Sequence, residues 1–290
     1  MERAVRVAVV AGETSGDQLG AALIQALRDH LPGLEVRGVC GPLMRAQGCT
    51  ALADAHELAV MGLFEVLRHL PRLLRLRRHL RREFRAWQPD VFIGIDAPEF
   101  NLGLAAQLHR VGLKTVQYVS PQVWAWRERR VIGIAAACDL VLCLLPFEPA
   151  FYARHAVRAE FVGHPLADQI PLRGERAAAR VLLGIAPDAT VVALLPGSRA
   201  GEVARLSADF HAAARTLATA MPEVEFIAAM ASANVRAIFE AAGVGAGANA
   251  GANATPRIRI LDGQARLALQ AADAALVASG TASLEALLCR

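Results

Sequence analysis

Short β-branched apolar runs alternate with helical patterns almost from end to end of this chain. Val5–Ala11, Glu35–Val39, Val91–Ile95, Thr115–Val119 and Leu140–Leu144 read as buried strands. Between them, Gly16–His30, Leu58–Trp87, Asn101–Val111, Glu128–Ala137 and Glu148–His155 carry helical spacing, with Pro71 expected to interrupt the longest. Strands that are apolar on both faces and separated by helices predict a parallel sheet covered on both sides. Gly163–Gly174 has Gly and Pro without periodicity, and the pattern then restarts. Strands are expected at Val191–Leu195, Glu225–Ala229, Arg257–Leu261 and Ala274–Val277, with helices between and after them. The reading is two consecutive α/β domains, 1–165 and 166–290, in keeping with 290 residues at roughly 100–200 residues per domain. Ala241–Thr255, rich in Ala, Gly and Asn, is expected to be a loop.

Composition removes several classes. Apolar residues at 54% and charged residues at 20% belong to a folded chain, not a disordered one. No apolar run reaches the roughly 18 residues of a membrane span, and the N-terminus lacks the pattern of a secretory signal. A cytoplasmic protein is therefore expected. The five cysteines form no C-x-x-C pair, which reads as reduced thiols. The net charge of +4 comes with no recognition motif, so nucleic acid is not expected as a partner.

Five segments carry candidate chemistry. The first strand runs into Gly12-Glu13-Thr14-Ser15-Gly16-Asp17, where exposed helix amides can bind an anion or sugar hydroxyls; capping by Ser15 or Asp17 is the plainer alternative. Asp96 follows a buried strand, at the strand end where α/β folds place ligands. It suits a general base, or equally an N-cap for a helix starting near Pro98. Pro196-Gly197-Ser198-Arg199 has the makings of a diphosphate cradle, with Gly197 allowing close approach and Arg199 able to pair with phosphate. A simple strand-to-helix turn with a solvated Arg is the alternative. Ser279-Gly280-Thr281 opens the last helix with hydroxyls and amides. Glu285 follows one turn in, where it can hold adjacent sugar hydroxyls or help cap the helix. The stretch from Phe64 to Arg85 mixes Phe64, Val66, Leu67, Leu70, Leu73 and Leu74 with eight arginines between Arg68 and Arg85. It is either an amphipathic core helix or an interfacial one whose arginines meet anionic headgroups. No His/Cys/Asp/Glu cluster has metal spacing and no D-x-D triplet occurs, so neither metal nor cofactor is expected.

Taken in order, these runs resemble the lipid-A-disaccharide synthase family. The matching segments are Ala11–Asp17, Val60–Leu67, Pro89–Asn101, Tyr118–Arg127, Leu145–Glu148, Phe161–Asp168, Leu194–Arg199 and Ser279–Glu285. The resemblance implies a GT-B-type glycosyltransferase with two Rossmann-like domains, an acceptor and membrane-docking domain followed by a UDP-sugar domain across a cleft. It implies transfer of 2,3-diacylglucosamine from its UDP conjugate to 2,3-diacylglucosamine 1-phosphate, giving the β-1,6-linked lipid A disaccharide 1-phosphate and UDP. It also implies a location on the cytoplasmic face of the inner membrane, with a homodimer among the admissible assemblies.

Under that resemblance Asp96 is the expected base. Glu13 and Ser15 line the acceptor side. Gly197, Ser198, Arg199, Ser279, Gly280, Thr281 and Glu285 bind UDP, with Glu285 on the ribose. Because both substrates carry acyl chains, the interfacial reading of Phe64–Leu74 is preferred. Family members extend beyond the last helix, so the second domain is expected to be incomplete. Two other readings fit the motifs: another UDP-sugar enzyme of this architecture, and a lipid- or nucleotide-binding protein without turnover.

Overall fold

In the computed structural model the chain divides into two compact units, Met1–Pro165 and Leu166–Arg290. The structure describes residues 3–58, 63–247 and 256–289; the side chains of residues 13, 63–69 and 244–247 also lie outside that description.

Among the described residues the first unit holds seven strands: β1 (Arg6–Ala11), β2 (Glu35–Cys40), β3 (Cys49–Asp54), β4 (Val91–Ile95), β5 (Lys114–Tyr118), β6 (Leu140–Cys143) and β7 (Ala159–Phe161). They lie in the order β3-β2-β1-β4-β5-β6-β7, and every pairing is parallel. Parallel strands need crossovers, and these are α1 (Glu13–His30), α2 (Pro42–Ala46), α3 (Leu63–Trp87), α4 (Pro98–His109), α5 (Val123–Trp126), α6 (Val131–Ala135) and α7 (Glu148–Ala153). Side chains alternate across β1. Val7, Val9 and Ala11 pack with Leu19, Ile24 and Met44 on one face. Ala8 and Val10 pack with Leu80, Phe84, Leu104 and Leu108 on the other.

Several elements depart from the sequence reading. The edge strands β3 and β7 and the short helix α2 carry no long β-branched run, so periodicity misses them. Helix α3 runs unbroken through Pro71, which is exposed and costs the helix one hydrogen bond without ending it. The helix expected at Glu128–Ala137 is a 3-10 turn, Glu128–Arg130, followed by α6.

The capping alternative for the first motif is also redirected. Helix α1 begins at Gly12 without a side-chain cap. Asp17, 2% exposed, instead caps α2: its carboxylate accepts from Gly41 N (2.9 Å), Leu43 N (2.9 Å) and Met44 N (3.1 Å). Replacing Asp17 with Ala should therefore cost about 2–4 kcal/mol through buried, unsatisfied amides. Urea unfolding reads this directly; an unchanged midpoint would show that Asp17 has no structural task.

Among the described residues the second unit has four parallel strands in the order β10-β9-β8-β11. These are β8 (Val191–Leu195), β9 (Glu225–Met230), β10 (Ile258–Asp262) and β11 (Ala274–Val277). Its helices are α8 (Pro165–Gln169), α9 (Arg176–Leu183), α10 (Ala200–Ala220), α11 (Ala233–Gly247), α12 (Ala265–Ala271) and α13 (Thr281–Cys289). Strand β8 is buried along its whole length, and β11 forms an exposed edge.

Candidate active site

In an open parallel sheet, ligands bind beyond the carboxyl ends of the strands where the strand order reverses. In the first unit that point lies between β1 and β4. Gly12 and Glu13 follow β1, and Asp96 follows β4. The two turns touch: a Cβ on Gly12 would sit 2.8 Å from Ala97 Cβ, so glycine is what lets the Asp96 turn approach α1. Ser15 is half-buried in the first turn of α1, on the same edge. The Glu13 side chain lies outside the described residues.

The Asp96 turn is strained and heavily supported. Asp96 and Ala97 have φ of +53° and +40°, and Val119, one strand over, has +76°. Left-handed backbone at a β-branched residue is rare, and such strain persists only where neighbours over-determine it. Two buried amides do so here. Asn101 Nδ2 donates to Val10 O (3.1 Å), Ile95 O (3.3 Å) and Asp96 O (2.8 Å). Gln117 Nε2 donates to Asp96 O (3.1 Å), Tyr118 O (3.3 Å) and Val119 O (3.3 Å). The side-chain oxygens of both residues are buried without a partner, so their donors define their structural use. The capping alternative for Asp96 fails in its simple form. The N-cap position of α4 belongs to Ala97, and Asp96 itself is half-buried at the strand end.

The loop after β5 sits beside this turn. Asp96 N donates to Tyr118 O at 2.9 Å, and Arg130 pairs with Glu99 at 2.7 Å. Ser120 Oγ and Tyr152 Oη are 3.0 Å apart, and burial pushes the Tyr152 phenol up to about 12, so it remains neutral. Burial lowers the His164 imidazole below its usual value, which favours the neutral ring.

In the second unit the strand order reverses between β8 and β11. Gly197, Ser198 and Arg199 follow β8; Ser279, Gly280 and Thr281 follow β11. Both segments leave the same sheet edge, where Ala278 N donates to Leu195 O at 2.9 Å. Ser198, Arg199, Ser279, Gly280 and Thr281 are exposed there. Gly197 has φ +123°, and a side chain on it would collide with the Glu202 carboxylate. Helix α10 begins after Arg199 without a side-chain cap, and the Glu202 carboxylate stands in its first turn. Glu285 lies one turn into α13, 3.6 Å from Arg266 Nε and 19% exposed at its side chain. Among the described residues no group of three or more His, Cys, Asp or Glu is arranged to hold a metal.

Helix α3 places the remaining candidates apart from one another. Leu73 and Leu76 pack against the cluster that contains Leu80 and Phe84. Leu70 is 42% exposed, and Leu74 is half-buried. The side chains of Phe64, Val66 and Leu67 lie outside the described residues. Farther along, Arg75, Arg78, His79, Arg81, Arg82 and Arg85 line a concavity of about 520 Å³. Arg77 stacks on Phe100 at 4.9 Å and donates to Glu99 O at 3.1 Å, tying α3 to the first turn of α4. No described helix is long and apolar enough to cross a membrane.

Sequence comparison supplies what geometry alone does not. The family model described as "Lipid-A-disaccharide synthetase" matches residues 7–290. This chain belongs to that family. It is 54% identical to the lipid-A-disaccharide synthase of Sodalis glossinidius, over 99% of this chain and 74% of that protein. It is 51% identical to that of Xanthomonas axonopodis pv. citri, again over 99% of this chain but only 64% of the relative. The chain thus spans a little under two thirds of the Xanthomonas protein. Among solved structures, this chain is similar in fold to UDP-GlcNAc 2-epimerases. The Neisseria meningitidis enzyme aligns with a TM-score of 0.64 at 11% identity, covering 95% of this chain and 78% of that one. The Methanocaldococcus jannaschii enzyme gives 0.63 at 12% identity, covering 98% and 82%. The α/β fold with parallel sheets is therefore that of GT-B UDP-sugar enzymes.

Proposed function

We propose that the protein is an inverting glycosyltransferase of lipid A biosynthesis. It transfers 2,3-diacylglucosamine from its UDP conjugate to 2,3-diacylglucosamine 1-phosphate, giving the disaccharide 1-phosphate and UDP. One observation carries this reading. In a chain of this family, Asp96 stands at the strand-order reversal of one parallel sheet and Arg199 at that of the other.

The chemistry asks for one base and one stabilised leaving group. Asp96 takes the proton of the acceptor 6-hydroxyl as that oxygen attacks the anomeric carbon. Attack from the face opposite the departing UDP inverts the anomeric centre. The developing diphosphate charge meets the Arg199 guanidinium and the amide end of α10, with Gly197 and Ser198 allowing close approach. Ser279, Gly280 and Thr281 border the nucleotide, and Glu285, oriented by Arg266, accepts the ribose hydroxyls. Glu13 and Ser15 border the acceptor. In this reading residues 1–165 serve the acceptor and the membrane, and residues 166–290 serve the UDP-sugar.

Acceptor-dependent UDP release from UDP-2,3-diacylglucosamine by the full-length protein tests the proposal. UDP released only when 2,3-diacylglucosamine 1-phosphate is present supports it. Nucleotide binding without release would favour a binding protein.

Membrane docking through the first half of α3 belongs to the same proposal, because both substrates are lipids. The exposed Leu70 is the informative position. A Leu70→Ser protein should sediment less with anionic vesicles while keeping its melting temperature, since this side chain is not in the core. Unchanged sedimentation would take Leu70 out of the docking surface.

A further inference from the structure

The carboxyl edge of the first sheet does not end at Asp96. Register carries it on through β5, β6 and β7, with Ile95 beside Tyr118, Tyr118 beside Leu142, and Cys143 beside Phe161. Large apolar side chains stand exposed along that edge: Trp124 (37%), Leu145 (38%), Phe147 (49%), Phe161 (52%) and Val162 (48%). Apolar exposure gathered along one sheet edge is the mark of a binding surface.

Its construction says what it binds. Trp124 and Phe147 meet edge to face, with centroids 4.9 Å apart and planes at 88°. Trp124 is held from behind by Glu148, which is only 3% exposed. Glu148 Oε1 accepts from Trp124 Nε1 at 3.3 Å, and Oε2 accepts from Leu145 N at 2.9 Å. Burying a carboxylate is costly unless it is well paired. Here that cost fixes an exposed tryptophan rather than filling a core. The indole N–H and the Leu145 amide are thereby used up, so this surface offers contact area and no free donor from either group. A sugar would want hydrogen bonds; a hydrocarbon chain would not.

We propose that Trp124, Leu145, Phe147, Phe161 and Val162 form the seat for an acyl chain of the acceptor, with Glu148 as the residue that positions Trp124. The proposal rests on the transferase reading above, which makes the acceptor a diacyl sugar. Position supports this occupant: Asp96 follows β4, while Trp124 follows β5, Leu145 and Phe147 follow β6, and Phe161 and Val162 stand at the end of β7, all on the same carboxyl edge of the sheet.

The test compares two acceptors on the full-length enzyme: 2,3-diacylglucosamine 1-phosphate and glucosamine 1-phosphate. Trp124→Ala and Phe147→Ala should each raise KM for the acylated acceptor about tenfold, the scale of a lost apolar contact. KM for the bare acceptor, kcat and UDP affinity should hold. Glu148→Ala should copy Trp124→Ala. Glu148→Gln, which keeps a carbonyl for the indole N–H, should restore part of the effect.

Equal KM changes for both acceptors, or none for either, would overturn the proposal. So would a loss of vesicle binding with the acylated KM intact, which would assign the patch to the bilayer. A second readout does not depend on turnover: an acceptor with brominated acyl chains should quench tryptophan fluorescence, and Trp124→Phe should abolish most of that quenching. Absence of transfer in the wild-type enzyme would count against the transferase reading. The quenching arm would then decide the acyl seat, with persistent quenching in Trp124→Phe overturning it.

Discussion

An Asp96→Asn protein should fold as the parent does, bind UDP as tightly, and lose turnover by roughly 10²–10⁴-fold, the usual contribution of a general base. Asparagine is the right replacement for a physical reason. Asp96 has φ +53°, and among residues with a Cβ, Asn and Asp tolerate the left-handed region best. The substitution therefore keeps the turn and its shape while removing the ionisable oxygen. Alanine would confuse the result, because it would add backbone strain to the loss of the base. The main-chain carbonyl of residue 96 would still accept from Asn101 and Gln117 in the Asn variant. Loss of activity with an unchanged melting temperature would thus point to the carboxylate itself. Near-normal turnover would remove Asp96 from the role of base.

The second large effect is expected at Asn101, which is fully buried and bridges β1 and β4 through Val10 O, Ile95 O and Asp96 O. Leucine has nearly the shape of asparagine and none of its donors. Asn101→Leu should cost about 2–4 kcal/mol, from buried carbonyls that lose a partner. For a chain of this size each kcal/mol moves the melting temperature by about 2–4 °C. Turnover measured well below that temperature should fall as well, because Asp96 O would be held by Gln117 alone. Gln117→Leu probes the other support. The two single changes should not add: residues sharing one acceptor couple by about 0.5–3 kcal/mol in a double-mutant cycle. Strict additivity would mean that the two amides act on separate features, and that the turn is not jointly held.

Much of this arrangement is legible in the residues. The alternation of apolar strands and helices leads to parallel sheets, and Asp96 and Arg199 stand out because each ends a buried strand. The amide supports are less visible, although a signal exists. Gln117 lies within the apolar run Thr115–Val119, and Asn101 lies in a helix whose neighbours Phe100, Leu104 and Leu108 are buried. A polar residue at a buried position needs partners, and that rule alone could have marked both. Asp17 was harder to place. Its partners lie 24 to 27 residues away in sequence, at Gly41, Leu43 and Met44. No local pattern connects a carboxylate in one helix to the start of another. The strands β3 and β7 leave little trace in the sequence for a different reason, since edge strands carry less of the apolar signal than buried ones do. Glu148 shows the limit of motif reading. It ends the matching run Leu145–Glu148, yet its use follows only from the positions of Trp124 and the Leu145 amide.

The proposed reaction is a single displacement driven by one base. It is tested most directly by the anomeric configuration of the product. The full-length enzyme, given UDP-2,3-diacylglucosamine and 2,3-diacylglucosamine 1-phosphate, should make a disaccharide whose new linkage is β and runs to the acceptor 6-position, as read by proton NMR. An α linkage would require two displacements or front-side attack, and would contradict the role assigned to Asp96.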